Sequence, residues 1–322
     1  MKGFLLSIVV AGLCGGSATL TAQTGNAPAS SAIESAQEPP SPTETETPAR
    51  RRYWLFGSIS TFYDTNADHN QQWIRSAGII TRIGFHFQNR LKNPSFEIEY
   101  EGALHRFANS DRFDRFSNRL STSYRRKFLS RWSAKTFAEI LLKGSPEDRE
   151  LNDWYSFGET IECGLTKKSK LQAFAAYRLK RNPISNANDA IDSYVGGRFH
   201  QKFGSRDLDL SYRYDNNRSR EGTNRFIRWR YDVLFESFIF SHRNRLSVEA
   251  IYVPVLFART TKTKTGPQVL YDHQTIGEVQ IERQLRHNVS ITLFYRYEVR
   301  NSNNPNRNFH AHMTGATIGF RW

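Results

Sequence analysis

The sequence predicts an all-β chain whose strands close into a membrane-spanning, up-and-down antiparallel β-barrel of about fourteen strands, and three observations point there. From residue 52 onward, apolar and polar residues alternate with a period of two through short segments, the spacing that sends successive side chains to opposite faces of a strand. The connections between the segments alternate between long and short, as they do at the two ends of an up-and-down barrel. After the first 22 residues no stretch approaches the roughly 18 consecutive apolar residues of a membrane helix, and the mean hydropathy is −0.62. A barrel tolerates so low a mean because its lipid-facing and lumen-facing residues cancel.

The N-terminal region reads as export and tether. Met1 and Lys2, the apolar run Phe4 to Leu13 and the small residues up to Ala22 follow the order of a secretory signal peptide, so residues 1–22 are expected to be removed after Ala22. Cys14 follows Leu13 rather than a small residue, which argues against lipidation. Removal of residues 1–22 leaves Cys163 alone, with no disulfide and no cysteine-based metal site. Residues 23–51 are rich in Ala, Ser, Pro, Thr and Glu, a linker composition that buries too little apolar surface to order itself. Residues 52–322 then form the barrel.

Charge is distributed unevenly about that linker. The whole chain carries +14, and residues 1–50 hold Lys2 and Arg50 against Glu34, Glu38, Glu44 and Glu46, a net of −2 that leaves +16 on residues 51–322. Arg and Lys alternate with Glu and Asp instead of clustering on one face, so nucleic acid is not the expected partner.

Fourteen segments fit the period, at 53–63, 73–87, 95–106, 115–126, 132–143, 154–166, 171–181, 192–203, 207–215, 225–239, 245–257, 269–284, 288–300 and 309–322; twelve or sixteen strands would also give an even count. In the third, Phe96, Ile98, Tyr100 and Leu104 alternate with Glu97, Glu99, Glu101 and His105. Long connections are expected near 64–72, 107–114, 144–153, 182–191, 216–224, 258–268 and 301–308, with short turns between. With the N-terminus in the periplasm the long set lies outside the cell and the C-terminus returns to the periplasm.

Aromatic residues suit two girdles at the head-group levels. Tyr63, Trp73, Trp154, Tyr177, Tyr214, Trp229, Tyr252 and Tyr297 fall at the long-loop end, and Phe87, Phe96, Trp132, Phe203, Phe320 and Trp322 at the other. The short turns are basic, with Arg90, Lys92, Arg126, Lys127, Arg131, Lys167, Lys168, Lys170 and Arg243, as suits an anionic leaflet.

Two motifs carry a resemblance. Thr314, Ala316, Ile318, Phe320 and Trp322 form an alternating row that ends on an aromatic residue, and this resembles the C-terminal signal of bacterial outer-membrane β-barrels. The resemblance implies that Ile318, Phe320 and Trp322 are read by the barrel assembly machinery, and that lipids and lipopolysaccharide surround the barrel. Phe62-Tyr63-Asp64-Thr65-Asn66 resembles the element that opens several porin-like and surface-lipoprotein-assembly-type barrels, with Thr65 where those families usually carry Ser.

The inward face of the expected strands is ionic: Arg82, Glu97, Glu99, Glu101, Arg119, Arg125, Glu139, Arg178, Arg198, Asp209, Arg213, Arg228, Arg230, Asp232, Glu278, Arg296 and Glu298. These charges would cost about 2–4 kcal/mol each on the lipid side near the midplane, so they are assigned to a pore lining. The leading expectation is a channel for small hydrophilic solutes with modest anion preference. The alternative is a closed scaffold or an export and assembly barrel whose charges pair across the lumen. An enzyme is the third reading, because His86, His105, His200, His310 and His312 lie on or beside strands but in no spacing that joins them to a serine and an acid. No cofactor and no metal is expected; His310 and His312 share a strand face as ligands could, but an i, i+2 pair at a rim is more often a solvated polar edge.

Overall fold

A computed structural model describes residues 51–67, 74–90, 93–109, 114–144, 153–182, 189–263 and 266–322. The expected signal peptide with its cleavage after Ala22, Cys14, the expected linker as far as residue 50, Trp73 and Lys92 lie outside the described residues. Fourteen strands follow one another: β1 (Arg51–Asp64), β2 (Ser76–Arg90), β3 (Ser95–Phe107), β4 (Arg115–Leu129), β5 (Trp132–Gly144), β6 (Asp153–Gly164), β7 (Ser169–Arg181), β8 (Ala190–Phe203), β9 (Arg206–Ser219), β10 (Phe226–Ile239), β11 (Ser241–Thr263), β12 (Gly266–Arg286), β13 (Val289–Ser302) and β14 (Phe309–Arg321). Each pairs antiparallel with its sequence neighbours and β1 pairs with β14, so the sheet closes without an edge.

The expected strand count and alternating connections are both present; the departure is between β11 and β12. Residues 258–268 read as a loop, yet β11 runs on to Thr263 and β12 starts at Gly266, with Thr260 opposite Val269 and Thr261 opposite Gln268. Thr260, Thr261 and Thr263 are β-branched and favour extended backbone, so the hairpin grows past the end of its neighbours.

The outer wall is apolar. Ile79, Ile83 and Phe85 of β2, Phe96, Tyr100 and Leu104 of β3, and Leu293, Tyr295 and Tyr297 of β13 are all exposed, on the face predicted to meet hydrocarbon. Of the girdle residues, Trp154 is the correction. Tyr155, Phe157 and Ile161 of β6 are exposed, so the strand period turns Trp154 inward, where Lys143 and Arg178 lie over its ring. Among the described residues no helix is long and apolar enough to cross a membrane.

Glu159 is a charged exception on the outer wall. It lies between the outward residues Phe157 and Ile161, opposite Thr136 on β5 and Ala175 on β7, and is exposed. A carboxylate in hydrocarbon is unfavourable, though less so than a lysine or arginine. Glu159→Leu is therefore expected to stabilise the lipid-embedded barrel by about 1 kcal/mol, read as a shift of the urea midpoint in vesicles; an unchanged midpoint would mean that lipid does not reach this residue.

Recurring devices fix the ends of the ring. At the long-loop end, Asp114 accepts the Phe107 amide at 2.8 Å, Asp153 the Lys143 amide at 3.0 Å and Asp189 the Asn182 amide at 2.8 Å. Each aspartate pins one strand to the next across a loop and satisfies a donor that the ladder leaves open. At the seam, Leu55 and Trp322 exchange both backbone hydrogen bonds, at 3.0 and 2.9 Å. The Phe62-to-Asn66 motif completes this joint. Asp64 accepts the Asn66 amide at 2.8 Å, Thr65 donates its amide to the His312 carbonyl and accepts the His312 amide on its hydroxyl, and Asn66 reaches the His310 carbonyl at 3.2 Å.

Candidate functional site

The inner wall holds the chemistry. Every charged position assigned to the lining stands on the face opposite the exposed apolar rows, because a regular strand can reverse a side chain only by slipping register or bulging. The structure draws most of these residues into three networks. One runs from β14 to β5: the Arg321 guanidinium lies 4.4 Å from the Trp54 ring centre, Trp54 stacks on His86 at 3.9 Å, and His86 meets Glu99 at 3.2 Å. Arg119 then bridges Glu99 at 3.2 Å and Glu139 at 3.3 Å, while Gln88 donates to Glu97 at 2.6 Å.

A second network occupies β7 to β10. Lys180 meets Asp192 at 2.8 Å, Arg198 meets Asp209 at 2.9 Å, Arg230 meets Asp232 at 2.7 Å, and Asp215 takes both Arg213 at 2.9 Å and Arg228 at 2.7 Å. The third spans β10 to β13, with Arg245 on Glu236, Arg296 between Glu278 at 3.7 Å and Glu298 at 3.2 Å, and Arg307 clamped on Asp272 at 2.6 Å. Among the described residues Arg82, Glu101, Arg125 and Arg178 join none of the three.

Several central residues escaped the sequence reading, namely Lys143, Lys180, Asp192, Asp215 and Tyr194, and Trp154 was read as a girdle residue. Parity alone would have found Lys180, which shares a face with Arg178. The same holds for Lys143, Asp192, Tyr194 and Asp215, which lie inside the assigned segments 132–143, 192–203 and 207–215 on the parity of Glu139, Arg198 and Arg213. The inner wall also carries apolar positions: Ile251, Val253 and Ile276 pack together facing inward, with Val255 against them.

The histidines separate by wall. His310 and His312 stand outside, and His312 meets the Tyr295 hydroxyl at 2.8 Å in a shallow outer groove shared with Tyr297. None of the inward His86, His105 and His200 is hydrogen-bonded to a serine or threonine hydroxyl among the described residues. His200 instead lies against Asp209 at 3.2 Å. No cluster of three metal-ligating side chains occurs among the described residues.

A closed ring of fourteen antiparallel strands, apolar outside and ionic within, decides the architecture. The fold is that of the bacterial outer-membrane β-barrels. OmpT, an outer membrane protein of Vibrio cholerae, superposes with a TM-score of 0.52 at 10% sequence identity, over 86% of this chain and 99% of that one. An anion-selective porin from Comamonas acidovorans superposes with a TM-score of 0.51 at 8% identity, over 85% of this chain and 100% of that one. No family model matches the chain, and no curated protein matches it in sequence. At such identities the likeness is one of backbone path, and the barrel's chemistry is read from its own residues.

Proposed function

We propose that the barrel is an outer-membrane diffusion channel for small hydrophilic solutes with a modest preference for anions, its strands β1 and β14 starting and ending on the periplasmic side. The observation that carries this reading is the long-loop half of the wall from β5 to β10, where the six cations Lys143, Arg178, Lys180, Arg213, Arg228 and Arg230 face inward with the four carboxylates Glu139, Asp192, Asp215 and Asp232 among them, while Glu162, Asp207, Asp209 and Glu236 stand nearer the short turns. Fixed cations beside a water path raise the local concentration of anions. Fourteen strands enclose more space than the eight whose side chains just fill a barrel, and less than the 16 to 18 of wide porins. The porin likeness supports the same reading, and the proposed lining is the set of inward charges assigned from the sequence. In this reading Ile318, Phe320 and Trp322, with the exposed Trp322 ring 5.8 Å from Phe320, are the row that the assembly machinery grips.

The three ion-pair networks favour a second reading, in which the paired side chains close the lumen and the barrel serves as a scaffold or assembly partner. A planar-bilayer recording of the purified chain separates the two. The channel is expected to insert in conductance steps, with a reversal potential in a potassium chloride gradient that makes chloride a few-fold more permeant than potassium. Silent insertion of folded protein would leave the scaffold.

A further inference from the structure

Arg178 makes no ion pair with a carboxylate among the described residues; Asp215, which it feels at longer range, is bound by Arg213 and Arg228. Arg178 faces Asp192 in the β7–β8 register, but Asp192 is taken by Lys180 at 2.8 Å and by the Asn217 amide. Arg178 is held instead by the Trp154 ring, centred 4.1 Å from its guanidinium carbon, by the Tyr194 ring at 5.5 Å and by the Ser156 hydroxyl at 3.3 Å. Tyr194 carries a second guanidinium, that of Arg213, at 5.4 Å. A ring face orients a guanidinium without cancelling its charge, so the N–H fork stays competent for a planar oxyanion.

The wall across the lumen is of the opposite character. In the ring order β1 stands seven places from β8, and β14 seven places from β7. The inward positions along the middle of these strands are Phe56, Ser58, Ser60 and Phe62 on β1, then Ala311, Met313, Gly315 and Thr317 on β14, with no charge among them; Asp64 closes the row at the long-loop end, and Arg52 and Arg321 at the other. Phe62 packs against Phe107, with Phe294 and Met313 beside it. An inorganic anion would use only one of these two walls.

We propose that Arg178 and Arg213, oriented by Trp154 and Tyr194, form a subsite for the carboxylate of an organic monoanion whose apolar body, such as an aromatic ring, lies toward the β1–β14 wall. This rests on the channel reading and deepens it. Bilayers holding the full chain, with potassium chloride, acetate or benzoate on opposite sides, test it by reversal potential. Benzoate is expected to permeate more readily than either acetate or the smaller chloride. Arg178→Gln should lower that ratio several-fold, and Arg178→Lys, which keeps the charge but loses the fork, should lower it partly. Folding of each variant is checked by its heat-shifted gel band, and Tyr194→Leu replaces Arg178→Gln if the latter does not fold. Benzoate permeating no better than acetate, or a ratio indifferent to the substitutions, would overturn the subsite while leaving the channel. No steps in any salt would remove the channel reading and the subsite with it.

Discussion

Asp215→Ala is expected to cost the barrel about 3 kcal/mol, the scale for breaking a buried ion pair by removing one partner. The Asp215 side chain is only 4% exposed and is shared by two guanidiniums, Arg213 and Arg228. Without it, two arginines on neighbouring strands face each other at close quarters with no counter-charge, while both keep some contact with water. Asp232→Ala should cost less, because that carboxylate is more exposed and meets a single arginine, Arg230, at 2.7 Å. Urea unfolding in lipid vesicles reads both. Equal losses at the two sites, or a change below about 0.5 kcal/mol at Asp215, the size of an ordinary surface substitution, would show that lumen water screens the wall and that the network contributes little rigidity.

The second large effect concerns glycine. On the inner wall the Phe62 ring lies across Gly78, Phe56 across Gly84, Phe174 across Gly196 and Phe294 across Gly315. A methyl group at Gly315 would come within 2.2 Å of the Thr61 carbonyl and 2.7 Å of the Phe294 ring. The carbonyl belongs to the β1–β14 ladder and cannot swing aside, so Gly315→Ala must pry strands apart at the joint of the ring. Overpacking of this kind costs roughly 1–3 kcal/mol. Gly277, on the outer wall, meets nothing within 4 Å, so Gly277→Ala should be neutral or stabilising by up to about 1 kcal/mol, since a glycine in a strand carries an entropic penalty. A thermal melt of the two variants side by side checks the contrast; equal behaviour would mean that the ring lies looser over Gly315 than the geometry shows.

The strands were legible because hydrocarbon imposes the alternation at nearly every second position, and because Asn, Asp and Gly mark the reversals. Thus Phe96, Tyr100 and Leu104 could be placed outside and Glu97 and Glu99 inside from parity alone. Trp154 was misplaced because an aromatic ring near a strand end suits a girdle and an inner wall equally, and only the phase of Tyr155 and Phe157 separates the two. The threonines beyond Leu256 read as loop because polar composition outweighed their β-branching. Pairing was illegible throughout: that Asp192 serves Lys180 and leaves Arg178 to two rings depends on register between strands, which no single strand's pattern contains.

The joint between β1 and β14 also sets an order of events. Ser60 and Thr317 share a hydrogen bond across 257 positions of sequence, so the contacts that complete the ring have the greatest separation along the chain and the largest loop-closure entropy to overcome. Neighbouring hairpins have short loops to close, but until β14 arrives β1 presents an unpaired edge that invites association with other chains. Leu55, whose amide and carbonyl are both met by Trp322, has no alternative donor or acceptor in lipid. The edge of β1 therefore stays open until the thirteen later strands have paired, and the last strand to join protects the first.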